Sequence, residues 1–203
     1  DRIAGLAEWR RARIVKVNPD SPQRPVRLRA LREGKTLVMP SPRLRSGFIL
    51  LDPSRIPRSA YARAATIRGA FSYGVVLDSL ERIEEAIDMV DFIVEGSVAV
   101  DPWGGRLGKG EGYAELEYAI LRELGKVDDS TPIATSVHDL QLVDFRLPQD
   151  PYDVPVDYIA TPTRLVRARE RRPRPPGIIW DLLSAEKLRE IPLLEELYNT
   201  RGL

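Results

Sequence analysis

The sequence predicts an α/β fold in which a mainly parallel sheet is covered on both faces by helices. Three observations carry that expectation. Short apolar runs of strand length alternate with longer segments whose apolar residues recur at helical spacing. At 203 residues the chain is long enough to bury one substantial core. Hydrophobic residues at 43% and charged residues at 30% are ordinary globular values, which excludes global disorder and collagen-like repeats.

Taken in order, Ile3 to Arg11 has a helical pattern and runs into Ala12-Arg-Ile-Val-Lys-Val, a buried strand. Ser21 is an N-cap with Pro22 at the first helical position, and the helix runs to about Glu33 with Gly34 as its stop. Thr36-Leu-Val-Met is a second strand ended by Pro40. Ser41 to Gly47 reads as an extended loop, and Arg58 to Thr66 as a helix. Asp78 or Ser79 caps the amphipathic stretch Leu80 to Met89. Phe92 to Val100 is the best strand candidate. A Gly-rich loop follows, then a helix from Tyr113 to Leu124 stopped by Gly125. Pro132 to Val137 and Val156 to Ala160 are further strands.

From Thr161 the character changes, because Arg164, Arg167, Arg169, Arg171, Arg172 and Arg174 are interleaved with prolines. This predicts an extended basic connector. Residues 1–161 therefore form the α/β domain, and 162–203 the Pro-rich connector and a C-terminal helical tail. The tail helix spans about Ala185 to Glu196, interrupted at Pro192, and packs onto the domain or a partner subunit. No internal repeat is visible.

Composition narrows the chemistry. Zero cysteines exclude disulfides, thiolate zinc sites and cysteine nucleophiles, and one histidine, His138, excludes a multi-histidine metal site. The longest apolar runs, such as Phe48 to Leu51, are far short of a membrane span, and Asp1 to Trp9 lacks the apolar stretch of a secretory leader. The expectation is a cytoplasmic protein with no membrane partner. Only five of the 31 basic residues are lysine, and the rest are arginine. That bias fits ion-pair networks in a heat-adapted protein, or simply GC-rich codons.

The most informative stretch is Gly104-Gly-Arg-Leu-Gly-Lys-Gly-Glu-Gly-Tyr-Ala-Glu-Leu-Glu-Tyr. Alternating Gly108, Gly110 and Gly112 let consecutive N–H groups turn inward around an anion, and the helix starting near Tyr113 adds its positive dipole end. Arg106 suits a phosphate fork, and Lys109 a mobile phosphoryl group. The spacing matches neither the P-loop nor the dinucleotide fingerprint. Alone, the glycines are equally consistent with a tight turn.

Arg106-Leu-Gly-Lys-Gly-Glu-Gly-Tyr resembles the R-L-G-x-G-x-G-Y-Y-D signature of 5-formyltetrahydrofolate cyclo-ligases (methenyltetrahydrofolate synthetases). The likeness continues through Gln141, Leu147-Pro148, Tyr152-Asp153 and Val156-Asp157-Tyr-Ile with Thr161. Lys16-Val-Asn-Pro-Asp, Lys35 to Gly47, Gly96-Ser-Val-Ala-Val and Val137-His-Asp are similar to the methenyltetrahydrofolate synthetase domain-containing branch. The resemblance spans about residues 8 to 166. It implies a three-layer αβα fold and ATP- and Mg-dependent conversion of 5-formyltetrahydrofolate to 5,10-methenyltetrahydrofolate. It places Arg106, Leu107, Gly108, Lys109, Gly110, Glu111, Gly112 and Tyr113 in the nucleotide loop, with Lys109 and Arg106 as catalytic candidates. Glu115 and Asp153 fall where the family holds its metal, and a reduced folate and ATP are the implied partners.

This sequence departs from the pattern at Ala114 for the second Tyr, Glu115 for the Asp, and Tyr152 for the His. The family's basic N-terminal helix has no counterpart beyond Arg10, Arg11 and Arg13, nor is its substrate-holding Glu matched near Asp20. Arg43 and Arg45, alternate residues on an extended segment, are candidates to clamp phosphate in its place, or a solvated loop. His138-Asp139 after a strand suits either a site edge or a cap. Trp9, Trp103 and Trp180 are scattered, which suits packing. The rival to an enzyme is a non-catalytic module whose inherited pocket holds a nucleotide or RNA. RNA enters by analogy alone, since near-neutral net charge argues against tight general nucleic-acid binding.

Overall fold

The computed structural model describes residues 2–201. Eight strands form the central sheet: β1 (Ile14–Val17), β2 (Thr36–Pro40), β3 (Phe48–Leu51), β4 (Val75–Leu77), β5 (Phe92–Glu95), β8 (Ile133–Ser136), β9 (Tyr158–Ala160) and β10 (Leu165–Arg167). A separate ribbon pairs β6 (Ala99–Val100) with β7 (Arg106–Leu107). The sheet order is β10-β9-β8-β5-β1-β2-β3-β4. Neighbours from β9 to β2 run parallel, while β10, β3 and β4 pair antiparallel at the two edges.

Parallel strands need cover on both faces, and their near-continuous Ile/Val content supplies two apolar surfaces. Successive side chains alternate between them. Leu37, Met39, Phe92 and Val94 meet helices α1 (Ala7–Arg11), α2 (Arg24–Arg32), α3 (Tyr61–Ala64) and α4 (Ile67–Tyr73). Val38, Ile93 and Ile133 meet α5 (Leu80–Ala86), α6 (Tyr113–Glu123) and α8 (Pro192–Thr200). The three-layer αβα arrangement is thus as expected. A short helix, α7 (Ala185–Glu190), precedes α8, with the break at Ile191 before Pro192. Leu193, Leu194 and Leu197 bury the tail in the core of its own domain.

Several local expectations hold and others do not. Ser79 caps α5 by accepting from the Arg82 amide at 3.3 Å. Ser21 does not cap its helix, because Ser21–Gln23 is a 3₁₀ turn leading into α2. The strand expected to run unbroken to Val100 ends at Glu95. At Gly96 a Cβ would lie 3.0 Å from Gln23 Oε1 and 3.1 Å from Asp20 Oδ2, so the chain turns off the sheet there. The segment after β2 is a 3₁₀ turn at Pro42–Leu44, with Arg43 at φ 55°, rather than extended. The apolar run Phe48 to Leu51, β4 and α4 were not foreseen as regular elements, because antiparallel pairing is settled by tertiary contacts and a seven-residue helix gives a short signal.

The connector expected from Thr161 is not a free linker. It begins with edge strand β10, and its arginines then fold inward. Arg174 reaches Asp157 and the Thr131 carbonyl, both at 2.6 Å. Arg172 donates to Asp101 Oδ2 and the Leu147 carbonyl, both at 3.0 Å. Asp101 is fully buried and also accepts the amides of Trp103, Gly105 and Leu147. Breaking a buried ion pair strands a charge. Arg172→Ala is therefore expected to lower unfolding free energy by about 3 kcal/mol in urea titration; a loss under about 1 kcal/mol, the surface-pair range, contradicts a structural role for the connector.

Candidate functional site

A cleft of about 480 Å³ opens beyond the carboxyl ends of β1, β5 and β8, where Asn18, Gly96 and Ser136 line it. The chain runs from β1 to β2 on one side and later to β5 on the other, so this edge is the switch point where open α/β sheets bind ligands. Ser41 to Arg43 and the start of α6 supply the remaining walls.

The floor is a buried polar cluster. Lys16, on the central strand, donates from Nζ to Asn18 Oδ1 at 2.9 Å, to Glu95 Oε1 at 2.8 Å, and to Glu117 of α6. Lys16 and Glu95 are wholly buried, and Glu117 nearly so. Burial works against the Lys16 charge, but Glu117 and Glu95 outweigh it and raise the ammonium's pKa. One cation cannot balance two carboxylates. Burial, reinforced by the Glu95 charge and only partly offset by Lys16, pushes Glu117 up to about 7. The sequence carried a signal for this cluster: a lysine and a glutamate inside otherwise apolar strands, Ile14-Val-Lys-Val and Phe92-Ile-Val-Glu. Gln23 was also missed. Its amide nitrogen donates to Ser136, leaving Oε1 buried without a donor at the cleft wall.

The Gly-rich loop separates this cleft from a second cavity of about 380 Å³, and Gly108, Glu111, Gly112 and Glu115 border both. Gly112, at φ 75°, precedes α6 in the left-handed conformation that turns the loop into the helix. Among the described residues no intrachain acceptor takes the amides of Gly108, Lys109, Gly110, Glu111 or Gly112, so that run is open to a ligand. Lys109 is exposed and pairs with Asp20 Oδ1 at 2.7 Å; that hydrogen bond raises its pKa and keeps it charged. Arg106 departs from the expected phosphate fork. Its guanidinium is turned inward, donating to Val154 and Gly96 carbonyls at 3.2 and 2.9 Å and to Glu115. It staples the loop to β5 and α6, because a buried guanidinium takes the acceptors the fold offers.

Leu107, Glu115 and Asp153 line the second cavity, so two carboxylates distant in sequence border the same space, Glu115 there also pairing with Arg106. Burial raises the Asp153 pKa. Among the described residues no three potential ligating side chains cluster. Mg²⁺ commonly uses only one or two protein carboxylates with phosphate and water oxygens. The pair fits such an ion only together with a phosphate ligand.

Arg43 lines the first cleft and Arg45 lines neither cavity. Both instead face Glu190 of α7, at 3.4 and 3.5 Å. Glu190 also accepts from Tyr113 at 2.8 Å, so the tail grips the first residue of α6. His138 is a cap: its Nδ1 accepts the Leu140 amide at 3.2 Å, and Gln141 closes the box on the His138 amide at 2.7 Å. Trp9 packs edge-on against Phe92 in the core.

Fold and cleft define an α/β domain of the kind whose ligand sits beyond the carboxyl ends of parallel strands. A family model described as the 5-formyltetrahydrofolate cyclo-ligase family matches residues 1–162, and the chain belongs to that family. It is 45% identical over 192 residues to the methenyltetrahydrofolate synthase domain-containing protein of Mus musculus, covering 92% of this chain and 50% of that protein. The Homo sapiens protein of the same name is 42% identical over 200 residues, covering 96% and 50%. The chain thus spans about half the length of these relatives. A solved structure of a 5,10-methenyltetrahydrofolate synthetase from Mycoplasma pneumoniae aligns with TM-score 0.44 and 16% identity over 78% of each chain.

The buried cluster has a pH signature. Glu117 holds its proton more tightly folded than unfolded, so its contribution is full below the ordinary glutamate value and is lost as pH rises to about 7. Between about pH 4.5 and pH 8 this should remove about 3 kcal/mol of unfolding free energy, at 1.36 kcal/mol per unit. Glu117→Gln should flatten that decline in urea titrations. An unchanged slope in the variant would show that Glu117 is ionised throughout.

Proposed function

We propose that this cleft performs an ATP-driven cyclisation of the cyclo-ligase type, converting 5-formyltetrahydrofolate to 5,10-methenyltetrahydrofolate. The observation that carries this reading is the open amide run Gly108 to Gly112 at the head of α6, with Lys109 beside it on the cleft wall. Those amides and the helix end suit phosphate oxygens. Lys109 is long and exposed, so exchanging Asp20 for a transferring phosphoryl group needs only side-chain rotation. The formyl oxygen takes the γ-phosphoryl group of ATP as the bond to the β-phosphate breaks and ADP leaves; N10 then attacks the activated carbon and gives up its proton, and inorganic phosphate departs. Catalysis is then positioning plus charge neutralisation. Glu115 and Asp153 are the residues that would hold Mg²⁺, which when bound neutralises phosphate charge.

A second reading, a pocket that binds nucleotide without turnover, is favoured by one observation. Every donating nitrogen of Arg106 is bonded within the fold, so the transition state loses that fork. The two readings separate in one assay. Mixing protein, Mg-ATP and 5-formyltetrahydrofolate should raise the absorbance of the methenyl product, and Lys109→Ala should slow it roughly ten- to hundredfold, the worth of one charge-assisted hydrogen bond. ATP binding by calorimetry with no absorbance change would overturn catalysis and leave the binding module.

A further inference from the structure

On the segment after Thr161 the structure neutralises Arg172 and Arg174 with Asp101 and Asp157, while Arg164, Arg167, Arg169 and Arg171 stay exposed along the extended chain. A second and more compact basic region lies elsewhere. Residues 53–77 carry Arg55, Arg58, Arg63 and Arg68, and residues 21–32 carry four more arginines, of which Arg55 pairs with Asp52, Arg29 pairs with Glu33 and Arg27 is buried. Against a whole-chain net charge of only +1, the remaining arginines make this face basic. These two stretches pack together as α2, α3 and α4. Arg24 donates to the Ala62 carbonyl at 3.0 Å, Arg27 to that of Ala65 at 2.8 Å, and Arg63 reaches the Tyr73 hydroxyl at 3.4 Å. Arg24, Arg58, Arg63 and Arg68 are exposed and pair with no carboxylate among the described residues.

The same face exposes apolar side chains. Ile67 and Phe71, one helical turn apart on α4, are 38% and 41% exposed. Ile67 also borders the cleft, so the basic face runs to its lip. We propose that the α2–α4 face binds single-stranded nucleic acid, with Arg24, Arg58, Arg63 and Arg68 on the phosphates and Phe71 stacked on a base. Arginine forks fit phosphodiester oxygens, and an exposed ring among them is the arrangement that holds unpaired bases. An anionic bilayer shares the charge but suits the face less. At seven residues, α4 offers too little apolar surface to lie in an interface.

The test is fluorescence anisotropy with end-labelled oligouridylate and oligothymidylate of about 12 nucleotides, titrated from about 50 mM salt upward. Micromolar binding is expected. In Arg63→Ala/Arg68→Ala, affinity should fall at least tenfold and the log–log salt slope by about 1.4, at about 0.7 per phosphate contact. Phe71→Ala should weaken binding at least fivefold with the slope unchanged, and Arg167→Ala on β10 should change neither. All four substitutions are on exposed side chains, and an unchanged thermal midpoint confirms the fold. Absence of binding at low salt, binding indifferent to the double variant, or binding to phosphatidylserine vesicles but not to oligonucleotides would each overturn the proposal.

Discussion

The Lys16 ammonium is buried on the central strand, and the site is assembled around it. Taking such an ion out of water costs several kcal/mol, recovered only if its hydrogens all find good acceptors. They do: Asn18 from the end of its own strand, Glu95 from the end of the neighbouring strand, and Glu117 from the helix behind the Gly-rich loop. Three elements are thus fixed at one point. The registers of β1 and β5 bring Lys16 opposite Ile93, which puts Glu95 two residues further along toward the cleft. Glu117 lies on the second turn of α6, so satisfying Lys16 also sets where that helix begins.

A second staple depends on the first. With α6 anchored by Glu117, Glu115 stands half a turn nearer its N-terminus and receives Arg106, whose other donors hold the Gly96 and Val154 carbonyls. The loop between Arg106 and Glu115 is pinned at both ends while its middle amides stay open. That combination gives a preorganised concavity. The tail adds a third hold, as Glu190 joins Tyr113 to the arginines of the segment after β2.

Much of this was legible in the sequence. The central parallel strands and α6 could be read because apolar runs and helical periodicity extend over enough residues, and Gly125 marks the helix end by its left-handed backbone. The antiparallel strands β3, β4 and β10 could not, since their pairing is settled by tertiary contacts. The Gly-rich loop announced itself by spacing. Arg106 misled because sequence gives a residue's type and not its direction: the guanidinium suited to phosphate serves equally well as an internal staple. The connector misled similarly, as its arginines' partners, Asp101 and Asp157, lie far away in the chain. Lys16 and Glu95 were visible as charges inside apolar strands, but their partnership needed the parallel register.

The most direct test of the buried cluster as one unit is a double-mutant cycle on Lys16→Met and Glu117→Gln, read by urea unfolding at about pH 8, where Glu117 is ionised in the parent. Lys16→Met alone leaves two buried carboxylates without a cation and should cost about 3–5 kcal/mol. In the double variant much of that loss should return, giving a coupling energy of about 2 kcal/mol or more. Effects that add within about 0.5 kcal/mol would contradict the cluster as the interaction that assembles the site.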